Sequence, residues 1–182
     1  MKRSTKIIIM KKIFIKYGLI AGLIVVGVPV VLSLFTGFGP ESFAIGEIIG
    51  YASIIVAMAT VYFAMRQYRD NLNEGRLSFG RGLKIGTVIS AIGGIAFAIY
   101  NVVFVTWIMP DFNEQYFAYS MGLEVGTPEF ESQFAAMMES NGFMYSLLGG
   151  TILMFLTVFL IGFIISVISA LILQSKPKIA QA

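Results

Sequence analysis

The 182-residue chain contains no cysteine and no histidine. These absences exclude disulfide staples, thiol nucleophiles, thiolate or imidazole metal ligands and the side chain that most often moves protons near neutral pH. Charge is scarce too: Asp, Glu, Lys and Arg make up 13% of the residues, against about 25% in an ordinary soluble domain. Hydrophobic residues are 57% of the chain and the mean hydropathy is +0.84, which excludes a soluble globular fold. No catalytic, cofactor-binding, metal-ligating or nucleotide motif stands out, so the expectation is a non-enzymatic protein without a cofactor.

Four stretches lack charge altogether: Tyr17 to Pro40 (24 residues), Ile48 to Met65 (18), Ile85 to Pro110 (26) and Ser140 to Ser175 (36). Each is long enough to cross a hydrocarbon core of about 30 Å at about 1.5 Å per helical residue. The predicted fold is therefore all-α: one polytopic membrane domain over 1–182, with spans near 17–38, 43–66, 82–109 and 143–173 forming two antiparallel hairpins. The lipid bilayer is its first partner.

All 13 basic residues fall in three patches: the N-terminus through Lys16, the connection from Arg66 to Lys84, and Lys176 with Lys178. With four spans these patches share one side, which the bias of Lys and Arg toward the cytoplasm makes the inner one. Glu41, Asp111, Glu114, Glu124, Glu129, Glu131 and Glu139 lie on the other side with no base among them. Both termini are then cytoplasmic, and the first span reads as an uncleaved signal anchor, since Leu34-Phe35-Thr36-Gly37 offers no small-x-small cleavage site. Met10-Lys11-Lys12 would make a natural translation start. The isoelectric point near 9.2 reflects these span-end charges, so no nucleic-acid partner is expected.

Gly37, Gly39 and Pro40 mark a tight turn between the first two spans. Asn73-Glu74-Gly75 is the turn of the basic connection, with Ser78 placed to cap the third span. In the outer connection, 110–142, Thr127-Pro128 followed by Glu129 and Glu131 starts a short amphipathic helix over 128–140, with Phe130, Phe134, Met137 and Met138 on one face and Asn141-Gly142 ending it. Phe112, Tyr116 and Tyr119 make a similar aromatic face up to Gly122, and with Trp107 they suit an interfacial aromatic belt.

Within the spans, Gly82, Gly86, Ser90, Gly94 and Ala98 recur every four residues and form a helix-packing groove on span three. Gly18 with Gly22, Gly46 with Gly50, Ser146 with Gly150, and Gly162, Ser166 and Ala170 are shorter versions. The groove packs helices of the same chain or receives a second copy or another membrane protein. Pro29 predicts a kink in span one. Glu47 is the one acid inside apolar sequence, about one turn below the outer end of span two, where it either snorkels to the interface or makes a structural hydrogen bond, or serves as a candidate site for transport or catalysis. Tyr51 and Asn101 are its expected partners, and the three form a candidate intramembrane polar site. Lys16-Tyr17-Gly18 and Lys84-Ile85-Gly86 open spans one and three alike, which hints at a parallel repeat.

The segment Tyr62-Phe63-Ala64-Met65-Arg66-Gln67-Tyr68-Arg69-Asp70, with Asn73-Glu74-Gly75 and Leu77-Ser78-Phe79-Gly80-Arg81-Gly82-Leu83-Lys84-Ile85-Gly86, resembles a family of small four-span bacterial membrane proteins known as a domain of unknown function. Met10-Lys11-Lys12, Gly46-Glu47-Ile48-Ile49-Gly50-Tyr51 and Asn101 to Phe112 extend the resemblance. It implies a bacterial inner-membrane setting and supplies no activity. Two functions follow from the residues: packing against or scaffolding other envelope components, or carrying a small solute or ion by way of Glu47 and Asn101.

Overall fold

The computed structural model describes residues 3–175, with side chains from residue 8 onward. The basic side chains of Lys2, Arg3, Lys6, Lys176 and Lys178 lie outside the described set. Among the described residues there are six α-helices and no strand: α1 (Arg3–Thr36), α2 (Phe43–Leu72), α3 (Phe79–Val103), α4 (Phe112–Met121), α5 (Pro128–Tyr145) and α6 (Leu147–Leu173). Four segments, Ile8–Thr36, Pro40–Leu72, Phe79–Ile108 and Leu147–Leu173, are long and apolar enough to cross a membrane. Leu23, Leu34, Phe35, Ile48, Ile99 and Leu160 are more than half exposed on their surfaces, the face such helices turn to lipid.

Packing follows the small residues. α3 makes its most extensive contact with α6, α1 touches α2 and α3 about equally, α2 also meets α6, and α1 and α6 scarcely touch. The α3–α6 seam is reciprocal. A Cβ added at Gly86 would lie 2.1 Å from Ser166 Oγ, and one added at Gly162 would lie 2.4 Å from Ser90 Oγ. Gly82 packs on Ala170 and Gly94 on Phe155, so every fourth residue of α3 from Gly82 to Ala98 is buried. The groove that could have received another protein holds α6 of the same chain. On the neighbouring faces Gly18 seats Ile92, Gly22 seats Ala96 and Gly93 seats Met58.

Two expected packing pairs are corrected. Gly46 and Gly50 have nothing within 4 Å of an added Cβ, because they face a crevice between α1, α2 and α3 and not a packed neighbour. Gly150 approaches only the Met144 carbonyl, at 3.5 Å, a contact with the turn before α6. α1 passes through Pro29 as one continuous helix.

The connections show their residues' roles. Gly37 (φ +72°) leaves α1 in the left-handed region, and Ser42 Oγ donates to the Gly39 carbonyl (2.7 Å) across a single 3-10 turn, Pro40–Ser42. Glu74 (φ +53°) and Gly75 (φ +74°) reverse the chain between α2 and α3. Ser78 sits at the N-cap position of α3, but its hydroxyl makes no capping bond. Instead Leu77, 1% exposed, is clipped to the end of α6: Leu77 N–H donates to Ser175 Oγ (2.9 Å) and Ser175 N–H to the Leu77 carbonyl (2.8 Å). Arg66, Arg69, Arg76, Arg81 and Lys84 gather at this basic end, where Arg69 pairs with Asp70 at 2.7 Å.

At the acidic end the chain folds back over the bundle. A π-helical turn, Phe104–Ile108, closes α3, with the Met109 N–H donating to the Phe104 carbonyl (2.8 Å). α4 ends at Gly122 in the left-handed conformation (φ +68°). α5 starts at Pro128, capped by Thr127 Oγ1 accepting from Phe130 N–H (3.2 Å), and its helical geometry breaks at Asn141. Phe130, Phe134 and Met137 of α5 pack on Phe117 and Ala118 of α4 as a small separate core, whereas Met138, 39% exposed, points away.

Candidate functional site

The two faces of α4 have different tasks. Phe117 and Ala118 are held by α5, and the opposite face, Phe112, Tyr116 and Tyr119, rests on Phe43 at the start of α2 with ring centroids 5.4–5.7 Å apart. Phe112 continues this contact to Phe104 (5.3 Å), and Phe104 meets both Tyr100 and Phe38 at 5.8 Å. Aromatic side chains from α1's exit, α2, α3 and α4 thus form one continuous array, in the edge-on and offset geometries that rings prefer.

Beneath this array lies a partly open crevice of about 250 Å³. Pro29, Leu32 and Ser33 of α1 line one side, Gly46, Glu47 and Gly50 of α2 another, and Phe97, Tyr100 and Asn101 of α3 a third, with Met154 of α6 at its base. Phe112 and Tyr116 of α4 roof it. Counted from the helix ends at about 1.5 Å per residue, Gly50, Met154 and Phe97 place its floor about 10 to 16 Å below the acidic end. The crevice exists because α2 carries glycine at residues 46 and 50, where side chains would project into open space.

Glu47 is on the rim of this crevice and its carboxylate accepts a hydrogen bond from the Tyr116 hydroxyl. That bond pushes the Tyr116 phenol up to about 12, with burial and the Glu47 charge adding to it, so the phenol stays protonated and stays a donor at any physiological pH. Of the expected polar site, Glu47 and Asn101 do share the crevice. Among the described residues the Asn101 amide makes no hydrogen bond. Tyr51 is 56% exposed and outside the crevice, one turn below Glu47 on the same helix. Tyr116 is the partner that the sequence reading assigned to the membrane interface instead. Its signal was the 112/116/119 spacing, which makes an aromatic face that must rest on something.

Below the crevice the bundle is sealed. Val25, Ala57, Met58, Val61, Ile89 and Val158 are wholly buried. The hydroxyls at that depth are occupied locally: Thr60 donates to the Ala57 carbonyl (2.6 Å), Ser90 to Gly86 (2.9 Å) and Ser166 to Gly162 (2.6 Å). A side-chain hydroxyl bonded to its own helix offers little to a passing solute. Among the described residues no three Asp, Glu, His or Cys side chains converge in a metal-binding group, so the crevice offers the chemistry of one carboxylate, two phenols (Tyr100 and Tyr116), one amide, many rings and the hydroxyls of Ser33, Thr36 and Ser42, which already donate to backbone carbonyls.

These features define a multi-pass helical membrane protein with a single-ended crevice. The chain belongs to the family described as "Protein of unknown function (DUF4199)", which matches residues 16–175. No curated protein and no solved structure matches it.

Proposed function

We propose that this protein is a non-enzymatic component of the bacterial inner membrane that holds another envelope molecule at its acidic end and does not conduct a solute. The observation that carries the reading is a partly open crevice roofed by Phe112 and Tyr116 and closed below by the wholly buried Val25, Ala57, Met58, Val61, Ile89 and Val158. A conduction path needs available polar groups at successive depths, and here the hydroxyls of Thr60, Ser90 and Ser166 below Asn101 are each spent on a carbonyl of their own helix. Charge bias supports cytoplasmic termini, with the crevice facing outward. A second copy or another membrane protein would associate through the lipid-facing surfaces, because α6 fills the α3 groove.

The carrier reading has one observation in its favour: Glu47 and Asn101 line the same cavity. Proteoliposomes separate the two. The holding role predicts no flux of small cations, protons or amino acids above empty vesicles. A flux that the protein supports and Glu47→Gln abolishes would replace this proposal with the carrier.

A further inference from the structure

The crevice has an acidic group without any basic residue to neutralise it. No Lys or Arg occurs between Lys16 and Arg66, or between Lys84 and Lys176. The nearest base along α2 is Arg66, about 28 Å from Glu47 at about 1.5 Å per residue. Seven further carboxylates crown the same end of the bundle. Tyr116 gives Glu47 a hydrogen bond but no charge. A carboxylate set in an apolar wall without a counter-charge favours a cation that brings its own.

The rings decide what sort of cation. Phe43, Tyr100, Phe104, Phe112 and Tyr116 line the crevice together with Glu47, and aromatic faces attract ammonium groups, most of all where water is excluded. A small hydrated metal ion would find one carboxylate and no further acidic ligand within the crevice. An ammonium on an apolar chain would satisfy both parts of the wall, its head against Glu47 and its first carbons over Leu32, Phe97 and Met154, with the rest leaving through the open side. At about 250 Å³ the space is just under the span of roughly 300–1,000 Å³ typical of whole-ligand pockets. It accommodates the head and first carbons, leaving the rest of the chain in lipid. Phosphate-bearing lipids are disfavoured by the surrounding carboxylates.

We propose that the crevice binds a single-chain cationic amphiphile, an alkylammonium, taken from the outer half of the bilayer, with Glu47 as its counter-ion and Gly46 and Gly50 as the space for it. This rests on the crevice being a holding site. The test uses the full chain in phosphatidylglycerol nanodiscs, where every variant meets the same partitioned ligand. Photoreactive dodecylamine, dodecanol and dodecanoate are compared, and labelled residues are read by mass spectrometry. The amine is expected to label 43–50 and 97–104 about tenfold more than the alcohol, Glu47→Gln to erase that preference, and Gly50→Leu to abolish crevice labelling by all three. Gly46→Leu repeats the block one turn higher, should Gly50→Leu fail to fold. Equal labelling by amine and alcohol, both lost on blocking, overturns the cation assignment while the holding site stands. Preference for the carboxylate overturns it as well. Labelling no stronger than at lipid-facing Leu23, and unchanged by either glycine substitution, overturns the site itself.

Discussion

Tyr116 turns a carboxylate on an apolar helix into half of a tie between α2 and α4. Tyr116→Phe keeps the ring contacts with Phe43 and Phe112 and deletes one donor, so the expected loss is about 1 kcal/mol or less, given that Glu47 is exposed. The pH dependence is more specific. A phenol held at about 12 in the folded chain, against about 10 unfolded, favours the folded state while both forms are protonated. Its contribution is complete below about pH 10 and is lost as pH rises through about 12, because the unfolded state releases the proton first. Thermal melts at pH 8 and pH 11 should show a steeper fall for the wild type than for Tyr116→Phe, and parallel falls would mean that the tie is absent. Glu47 was legible as a candidate from its place in an apolar run. Its partner lies 69 residues away, and nothing local to either residue encodes how a ten-residue helix folds back to meet it.

At the scale of elements, identical small-residue spacing produced opposite outcomes. Gly86 is pressed against Ser166 while Gly50 faces open space, though each belongs to a four-residue repeat of small side chains. Spacing shows which residues share a face. It does not show whether a neighbouring helix reaches that face, which depends on how the bundle splays at its acidic end. Gly86→Leu should cost about 1–3 kcal/mol through overpacking of the α3–α6 seam. Gly50→Ala should be neutral or gain up to about 1 kcal/mol, since alanine is the better helix former and nothing opposes its methyl group. A side chain at Gly75, in the turn between α2 and α3, would cost about 1–2 kcal/mol on conformation alone, because its φ is +74°. Melting temperatures in detergent order the three, and tolerance of leucine at Gly86 would contradict the seam. The helix start at Thr127-Pro128 and the break at Asn141 were readable because each acts within one turn of helix. The clip between Leu77 and Ser175 was not, since it joins residues 98 apart.

Across the whole molecule the governing asymmetry is charge. Among the described residues Lys11, Lys12, Lys16, Arg66, Arg69, Arg76, Arg81 and Lys84 lie at one end of the bundle and the acidic connections at the other, a separation of about 40 Å for a 27-residue helix such as α6. The span count was legible because a bilayer demands about 20 apolar residues wherever a helix crosses it, a constraint that needs no tertiary information. Orientation rests on the same arithmetic: Lys and Arg resist translocation in short connections, and those in this chain are short. With no native cysteine, single introduced thiols report sidedness directly. Ser120 and Ser132 are exposed at the acidic end, and Asn71 and Ser78 at the basic end. Ser42, only 8% exposed beneath the Gly39 turn, would give weak labelling on either side and is unsuitable. Cysteines at Ser120 and Ser132 should react with a membrane-impermeant maleimide added to intact, outer-membrane-permeabilised cells. Those at Asn71 and Ser78 should react only after the inner membrane is opened. Prompt labelling at Ser78 with protection at Ser120 would invert the protein, and would put the crevice, its carboxylate and its aromatic roof against the inner leaflet.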